Sequence, residues 1–323
     1  MKLKAPFIKL PFRFDAARLA EEAASAPADA WAEHPNQIPG NSALRLITVD
    51  GQENDGFAGP MAPTPHLARM PYVRQILAQF SVVWGRSRLM RLAPGSTVPP
   101  HTDINYHWFQ RVRLHVPIVT DPGVRFFIAD EEAHMAPGEA WLIDNWSMHR
   151  VENRSDVLRV HLVADTTGGA DFWAMAEAAR TGQAPERFIP FDPAKDAQVL
   201  TERFNIARVL SPADMFEVLH DLEQEAASKK LGDAGAQQVA RFSQVVAGYC
   251  QDWRRLWSLY GDTDEGVPHY RQRVQRLVSQ VEALGDGLYV RANGSPMARV
   301  VARRVAASAV NIGPDGPFQR INA

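Results

Sequence analysis

Residues 138–165 read GEAWLIDNWSMHRVENRSDVLRVHLVAD. Two apolar runs, Ala140–Ile143 and Leu158–Val163, stand either side of the turn-forming stretch ENRS at 152–155. The same rhythm extends upstream. Leu89–Leu92, Arg113–Val119 and Val124–Ile128 are divided by APGS at 93–96, TDPG at 120–123 and APGE at 136–139. Short strands punctuated by Gly, Pro, Asn and Asp turns over residues 86–166 fit a sandwich or barrel better than a βαβ fold.

The flanks differ in character. Residues 1–80 are mixed, with a helical run DAARLAEEAASA inside Phe12–Trp31 and a short helix over Tyr72–Phe80. Gly51–Pro71, rich in Gly and Pro, reads as loop. From about residue 193 the pattern becomes helical. Ser211-Pro212 is a start signal, a cap followed by proline at the first helical position. Met215, Val218, Leu219 and Leu222 then recur at helical spacing, and Gly232 is expected to close that helix. Val239, Phe242, Val246, Tyr249, Trp253, Leu256 and Tyr260 form a heptad-like apolar seam. Tyr270, Val274, Leu277, Val281 and Leu284 mark a third helix. A linker near Phe188–Pro193 would therefore separate a domain at 1–190, with its core at 86–166, from a helical C-terminal domain at 191–323. The last dozen residues, IGPDGPFQRINA, read as a loose tail.

Bulk properties narrow the function. Apolar residues make up 46% and charged residues 22%, enough for a packed core and against wholesale disorder. Lys and Arg number 35 against 37 Asp and Glu, so no nucleic-acid partner is expected. Cys250 is the single cysteine, which excludes an internal disulfide and a CxxC metal site. It reads as a buried small hydrophobe. Neither a secretory signal nor a run of about 20 apolar residues is present, so no membrane partner is expected and the expected location is cytoplasmic.

Within PPHTDINYHW, His101 and Asp103 stand two apart, and residues so spaced in a strand share a side. His149 follows at the end of a second strand-like run. Two histidines and one carboxylate on a β-barrel make the facial triad that suits non-haem iron(II) and leaves positions open. Sulfur for a closed structural zinc site is lacking. On the HxD pair alone, a solvated turn or a histidine satisfied by its neighbour is the preferred reading. Arg159 lies inside the apolar strand VLRVHLV, where a guanidinium must meet an anion or carry a heavy desolvation penalty. A bound dicarboxylate would supply that anion, and so would an Asp or Glu on a neighbouring strand.

The stretch Arg88–Asp165, roughly a quarter of the chain, resembles the aspartyl/asparaginyl β-hydroxylase family. The branch it most resembles includes the bacterial proline cis-hydroxylases. The matching residues are HTDINYH at 101–107, RVRLHVPI at 111–118, MAPGEAWLID at 135–144, HRVEN at 149–153 and RVHLVAD at 159–165. The resemblance implies an α+β chain with a double-stranded β-helix (cupin or jelly-roll) core, N-terminal helices and the C-terminal helical bundle. It implies iron(II) on His101, Asp103 and His149, with 2-oxoglutarate as cosubstrate and O2 as oxidant. Arg159 would hold the distal carboxylate of 2-oxoglutarate, His115 would approach its other end, and Arg113 would face the substrate's carboxylate. Vertebrate-type members lack the acidic ligand that this sequence keeps as Asp103, which favours the small-molecule branch.

Beside these, Asn105 and Tyr106 follow the HxD and are candidates to shape the substrate pocket, and Trp141 to line it. His107, His134, His161, Trp108, Trp146, Arg111, Asp144 and Asn153 are read as core, turn or solvated residues, His161 as a satisfied core histidine. The implied activity is hydroxylation of a free amino acid or similar small carboxylate, coupled to decarboxylation of 2-oxoglutarate to succinate. Alternatives are hydroxylation of an Asp, Asn or other residue within a peptide, and a non-catalytic cupin-like metal sensor. A zinc hydrolase on the same triad would lack an obvious general base. The helical seam is compatible with a homodimer.

Overall fold

The computed structural model describes residues 1–312. The tail proposed at 312–323 falls outside the described residues except for its first position. The described residues form two compact units, one of residues 1–103 and 110–205, the other of residues 104–109 and 206–312.

The first unit is built on two sheets. Its strands are β1 (Phe7–Phe14), β2 (Ala32–Glu33), β3 (Asn41–Val49), β4 (Met61–Pro63), β5 (Trp84–Leu92), β6 (Thr97–His101), β7 (Val112–Val119), β8 (Val124–Ile128), β9 (Glu131–Ala133), β10 (Glu139–Ile143), β11 (His149–Asn153), β12 (Arg159–Thr166) and β13 (Arg187–Ile189). The larger sheet runs β13-β1-β10-β7-β12-β5-β3-β2, with β4 beside β3, and the smaller runs β6-β11-β8-β9. This is the α+β double-stranded β-helix core. Three helices, α1 (Ala16–Ala24), α3 (Pro71–Gln79) and α5 (Ala170–Arg180), contribute buried residues to the apolar core on the larger sheet's outer face, and α2 (Pro65–Ala68) precedes α3.

Period-2 patterning sorts the larger sheet into two faces. Val112, Leu114, Val116, Leu142, Leu89, Val160, Leu162 and Ala164 join Leu10, Leu19, Leu44, Ile76 and Phe172 in the outer core. Each such large apolar side chain, fully buried, contributes about 1.5–3 kcal/mol. The opposite face looks toward the smaller sheet, where Leu92 and Ile143 pack with Val124, Phe126, Ile128 and Val151. Residues 113, 115, 159, 161 and 88 therefore face inward.

Two long strands, β1 and β3, lie outside the runs read as strands. β1 pairs antiparallel with β10, Phe7 opposite Ile143, and β3 pairs with β5. Gly138 is needed where β1 meets the turn before β10. Its φ is +78°, and a Cβ there would lie 2.2 Å from the Phe14 carbonyl oxygen. The stretch read as loop, Gly51–Pro71, holds β4 and α2, the latter capped by Thr64. The stretch read as linker, Phe188–Pro193, is partly β13, parallel to β1. Main-chain pairing, invisible in its composition, ties it to the sheet.

The second unit holds α4 (Tyr106–Gln110) up to Phe109, then α6 (Pro212–Gln224), α7 (Gly232–Tyr260), α8 (Val267–Glu282) and α9 (Met297–Val300). Ser211 caps α6, its hydroxyl accepting from the Asp214 N–H. Gly232 does not close α6. Its φ of +58° instead marks the entry to α7, because β14 (Ala226–Ser228) intervenes and pairs with β15 (Leu288–Val290). The seam residues Phe242, Val246, Tyr249 and Trp253 are buried within this unit, where Trp253 stacks with Tyr249 and packs on Tyr270 of α8. Cys250 is only half-buried, and burial pushes its thiol up to about 11, so it is no thiolate at neutral pH. Among the described residues no helix is long and apolar enough to cross a membrane.

Candidate metal and cosubstrate site

β11 lies antiparallel to β6 with His149 directly opposite His101. The two rings are 4.1 Å apart. One ligand atom each from His101, Asp103 and His149 fall within 4.8 Å of one another. His101 and Asp103 do not share the strand expected from their spacing: β6 ends at His101, and Asp103 lies beyond it. Asn145 replaces the strand as its support. Asp103 N–H donates to the Asn145 carbonyl at 3.0 Å, and Asn145 Nδ2 donates to Asp103 Oδ2 at 3.1 Å.

Both imidazoles are oriented through their outer nitrogens. Nδ1 of His101 is 2.8 Å from the Pro99 carbonyl and Nδ1 of His149 is 2.9 Å from the Ser147 carbonyl. An Nδ1–H donated to a carbonyl leaves Nε2 as the lone-pair donor, the form a metal takes. Burial, with His101 beside it, lowers the His149 pKa to about 4, so the ring is neutral at pH 7. Burial alone would raise Asp103, but Arg113, His149 and His101 outweigh it and keep the carboxyl below its ordinary value. Two imidazoles, one carboxylate and three remaining octahedral positions fit an iron(II) centre.

Deeper along β12 stands Arg159, 4% exposed. Its guanidinium lies over the Phe126 ring at 5.1 Å, its buried Nε has no hydrogen-bond partner, and no carboxylate among the described residues pairs with it. The neighbouring-strand salt bridge considered for Arg159 is therefore absent among the described residues. Burial depresses its pKa to about 9, which still leaves it charged. His115 and His161 complete this wall, 5.8 Å apart, with His161 stacked on Phe126. Among the described residues neither ring has a hydrogen-bond partner on either nitrogen, so His161 is not the satisfied core histidine expected. Burial and the Arg159 charge hold both well below the usual histidine range. Buried polar atoms left unpaired carry a cost of about 1–3 kcal/mol each, which a polar ligand relieves. A dicarboxylate anchored on Arg159 fits this wall.

Trp141 of β10 stands opposite His115 of β7, its indole N–H donating to Glu139 at 2.9 Å. Arg113 donates through Nε to Asp165 at 3.2 Å and lies 3.6 Å from Asp103. Arg111, two residues earlier, is committed elsewhere, to Glu202 at 2.7 and 3.0 Å. Asn105 and Tyr106 belong to the segment grouped with the helical unit, where the Asn105 side chain accepts from the Trp108 N–H and Tyr106 is buried. Asn153 is a turn residue, donating to the carbonyls of Leu92, Ala93 and Val157. Asp144 closes the turn before His149, accepting from Trp146 N–H and the Ser147 hydroxyl.

Three features escaped sequence reasoning. Asn145, in a turn, gave no signal. Arg86 and Arg88 did, since GRSRLMRL places arginines in an apolar strand just as VLRVHLV places Arg159.

The family model described as aspartyl/asparaginyl beta-hydroxylase matches residues 56–168. No curated protein matches the chain. Among solved structures the chain is similar to an oxidoreductase of the 2OG-Fe(II) oxygenase family from Burkholderia pseudomallei, at 15% identity over 49% of this chain and 80% of that one, TM-score 0.34. A prolyl-4-hydroxylase from Pseudomonas putida matches at 16% identity over 50% and 92%, TM-score 0.33. A prolyl hydroxylase in complex with a hypoxia inducible factor peptide fragment, from Trichoplax adhaerens, matches at 9% over 53% and 87%, TM-score 0.37. The matched segment, residues 56–168, is similar to the aspartyl/asparaginyl beta-hydroxylase family and carries all three candidate ligands.

Proposed function

We propose that the enzyme hydroxylates a free amino acid or similar small carboxylate, with iron(II) on His101, Asp103 and His149 and 2-oxoglutarate anchored by Arg159. The observation that carries this reading is a guanidinium 4% exposed, on the inner face of the barrel, with no carboxylate partner among the described residues. When bound, iron and 2-oxoglutarate supply the oxidising power, the cosubstrate leaving as succinate and carbon dioxide.

The chain's own residues do the rest. His101 and His149 present Nε2, and the Pro99 and Ser147 carbonyls keep those rings from turning. Asn145 fixes Asp103 so that one carboxylate oxygen remains free to ligate. Arg159 takes the distal carboxylate in a charge-assisted, forked contact, and the dry wall of Phe126 beneath it strengthens that contact. His115, held neutral, offers one donor and one acceptor nitrogen toward the cosubstrate's other end. Arg113 faces the substrate's carboxylate, and Trp141 lines the same inner face. Positioning decides which C–H bond is oxidised.

The test is an anaerobically reconstituted enzyme given iron(II), 2-oxoglutarate, oxygen and a panel of free amino acids and peptides. Succinate release stimulated by a free amino acid supports the reading. Stimulation by peptides alone selects peptide hydroxylation. Absence of 2-oxoglutarate binding would leave only a metal-binding role.

A further inference from the structure

The segment 104–109 parts company with the chain on either side of it. Residues 1–103 and 110–205 form the β unit, yet Ile104–Phe109 groups with the helical residues 206–312. Ile104, Tyr106, His107 and Trp108 are all buried. The excursion begins one peptide bond after Asp103, a candidate metal ligand.

One side chain of the helical unit grips this segment at both ends. Arg304 is 2% exposed and lies in the π-helical turn Val301–Ala306. Its Nε donates to the Ile104 carbonyl at 3.5 Å, and its guanidinium lies over the Phe109 ring at 5.0 Å. Its Nη1 pairs with Asp221 of α6 at 2.6 Å. Burial lowers its pKa to about 10, with Asp221 opposing the fall, so it is charged at neutral pH. Replacing a buried ion pair by apolar side chains is often neutral or stabilising, so net stability does not account for an arginine here. What a planar, forked cation adds is direction, because it fixes several partners at once. π-Helical turns are rare and recur at functional sites.

The backbone at Asp103 is therefore held on both sides. Asn145 takes the Asp103 N–H, and Arg304 takes the carbonyl of the next residue, Ile104. Between those two points lie the torsions that aim the Asp103 carboxylate. Binding groups need to be held within about 0.5 Å of their working position.

We propose that Arg304 is a positioning residue for the candidate metal centre: it seats Ile104–Phe109 in the helical unit and, through the Asp103–Ile104 peptide, steadies the Asp103 carboxylate. The C-terminal helices then support a metal ligand rather than standing as an independent appendage. This rests on the reading of Asp103 as a ligand.

The test uses cobalt(II), whose visible absorption reports ligand geometry, titrated anaerobically into the full metal-free chain. Arg304→Met weakens cobalt(II) binding by about tenfold and alters the visible band of the bound ion. Arg304→Lys keeps a cation for Asp221 but lacks the second donor toward Ile104. It guards against misfolding of the first variant and shows a cobalt defect of about threefold or more. Melting curves are recorded alongside. Lowered melting temperatures with wild-type cobalt affinity and spectrum in the folded variants assign Arg304 a purely structural role and overturn the proposal. Absence of cobalt binding in wild type overturns the ligand assignment itself, so the two failures are told apart.

Discussion

Asn145 holds Asp103 twice, its main-chain carbonyl taking the Asp103 N–H and its side chain donating to Oδ2 at 3.1 Å. Without that amide the carboxylate oxygen keeps, among the described residues, Arg113 at 3.6 Å. Partners that orient metal ligands are worth about 10–100-fold in metal affinity. Asn145→Ala is therefore expected to weaken iron(II) or cobalt(II) binding by about tenfold or more, read by anaerobic titration, with little change in thermal stability. Unaltered metal affinity would show that the turn is rigid without it.

Arg159 gives a stability prediction opposite to that for an ordinary ion pair. A buried cation without a partner destabilises the metal-free, cosubstrate-free protein, and an apolar side chain of similar length relieves that cost. Arg159→Met should raise the melting temperature of this form by a few degrees, on the order of 1 kcal/mol or more. Scanning calorimetry checks it. A lowered melting temperature would mean that the guanidinium has a structural partner.

Arg111 and Glu202 are expected to behave conversely. Both are nearly buried and joined by two contacts of 2.7 and 3.0 Å. Arg111→Met strands Glu202 and should destabilise by about 3–5 kcal/mol, while adding Glu202→Leu should recover a large part of the loss. Denaturant unfolding of the single and double variants measures this. A double variant no better than the single would place the cost in lost packing.

Acid should destabilise the protein through His34. In the folded chain, burial and the Arg88, Arg86 and Arg113 charges hold its pKa at about 4, and its Nδ1 accepts from the Asn36 N–H. In the unfolded chain the ring protonates near 6.5. Between those values the unfolded state binds more protons, so stability falls as pH drops from about 6.5 toward about 4. His34→Asn should lose less stability than wild type between pH 7 and pH 4.5, by about 1–2 kcal/mol. Parallel acid sensitivity in both proteins would remove His34 as a cause.

The barrel was legible where strands are short, apolar and separated by turn chemistry, as in β7, β10 and β12. β1 was not, because FIKLPFRF buries Leu10, Pro11 and Phe12 in succession, which breaks the alternation that marks a strand. The candidate ligands were legible through the ordered resemblance of HTDINYH and HRVEN, since the HxD pair alone reads as a turn. Asn145 was not, since a turn asparagine looks the same whether or not it supports a ligand. Arg88 carried the same signal as Arg159, a guanidinium in an apolar strand. The register of β5 sets it opposite Arg45, a pairing that composition does not show.

The most direct test of the central claim is the affinity of the iron(II)-loaded protein for 2-oxoglutarate, measured under nitrogen in wild type and Arg159→Met. Loss of a buried, charge-assisted contact of this kind should weaken binding by about thirtyfold or more, with iron(II) affinity unchanged. Equal 2-oxoglutarate affinity in the two proteins would contradict the assignment of Arg159 as the anchor of the cosubstrate.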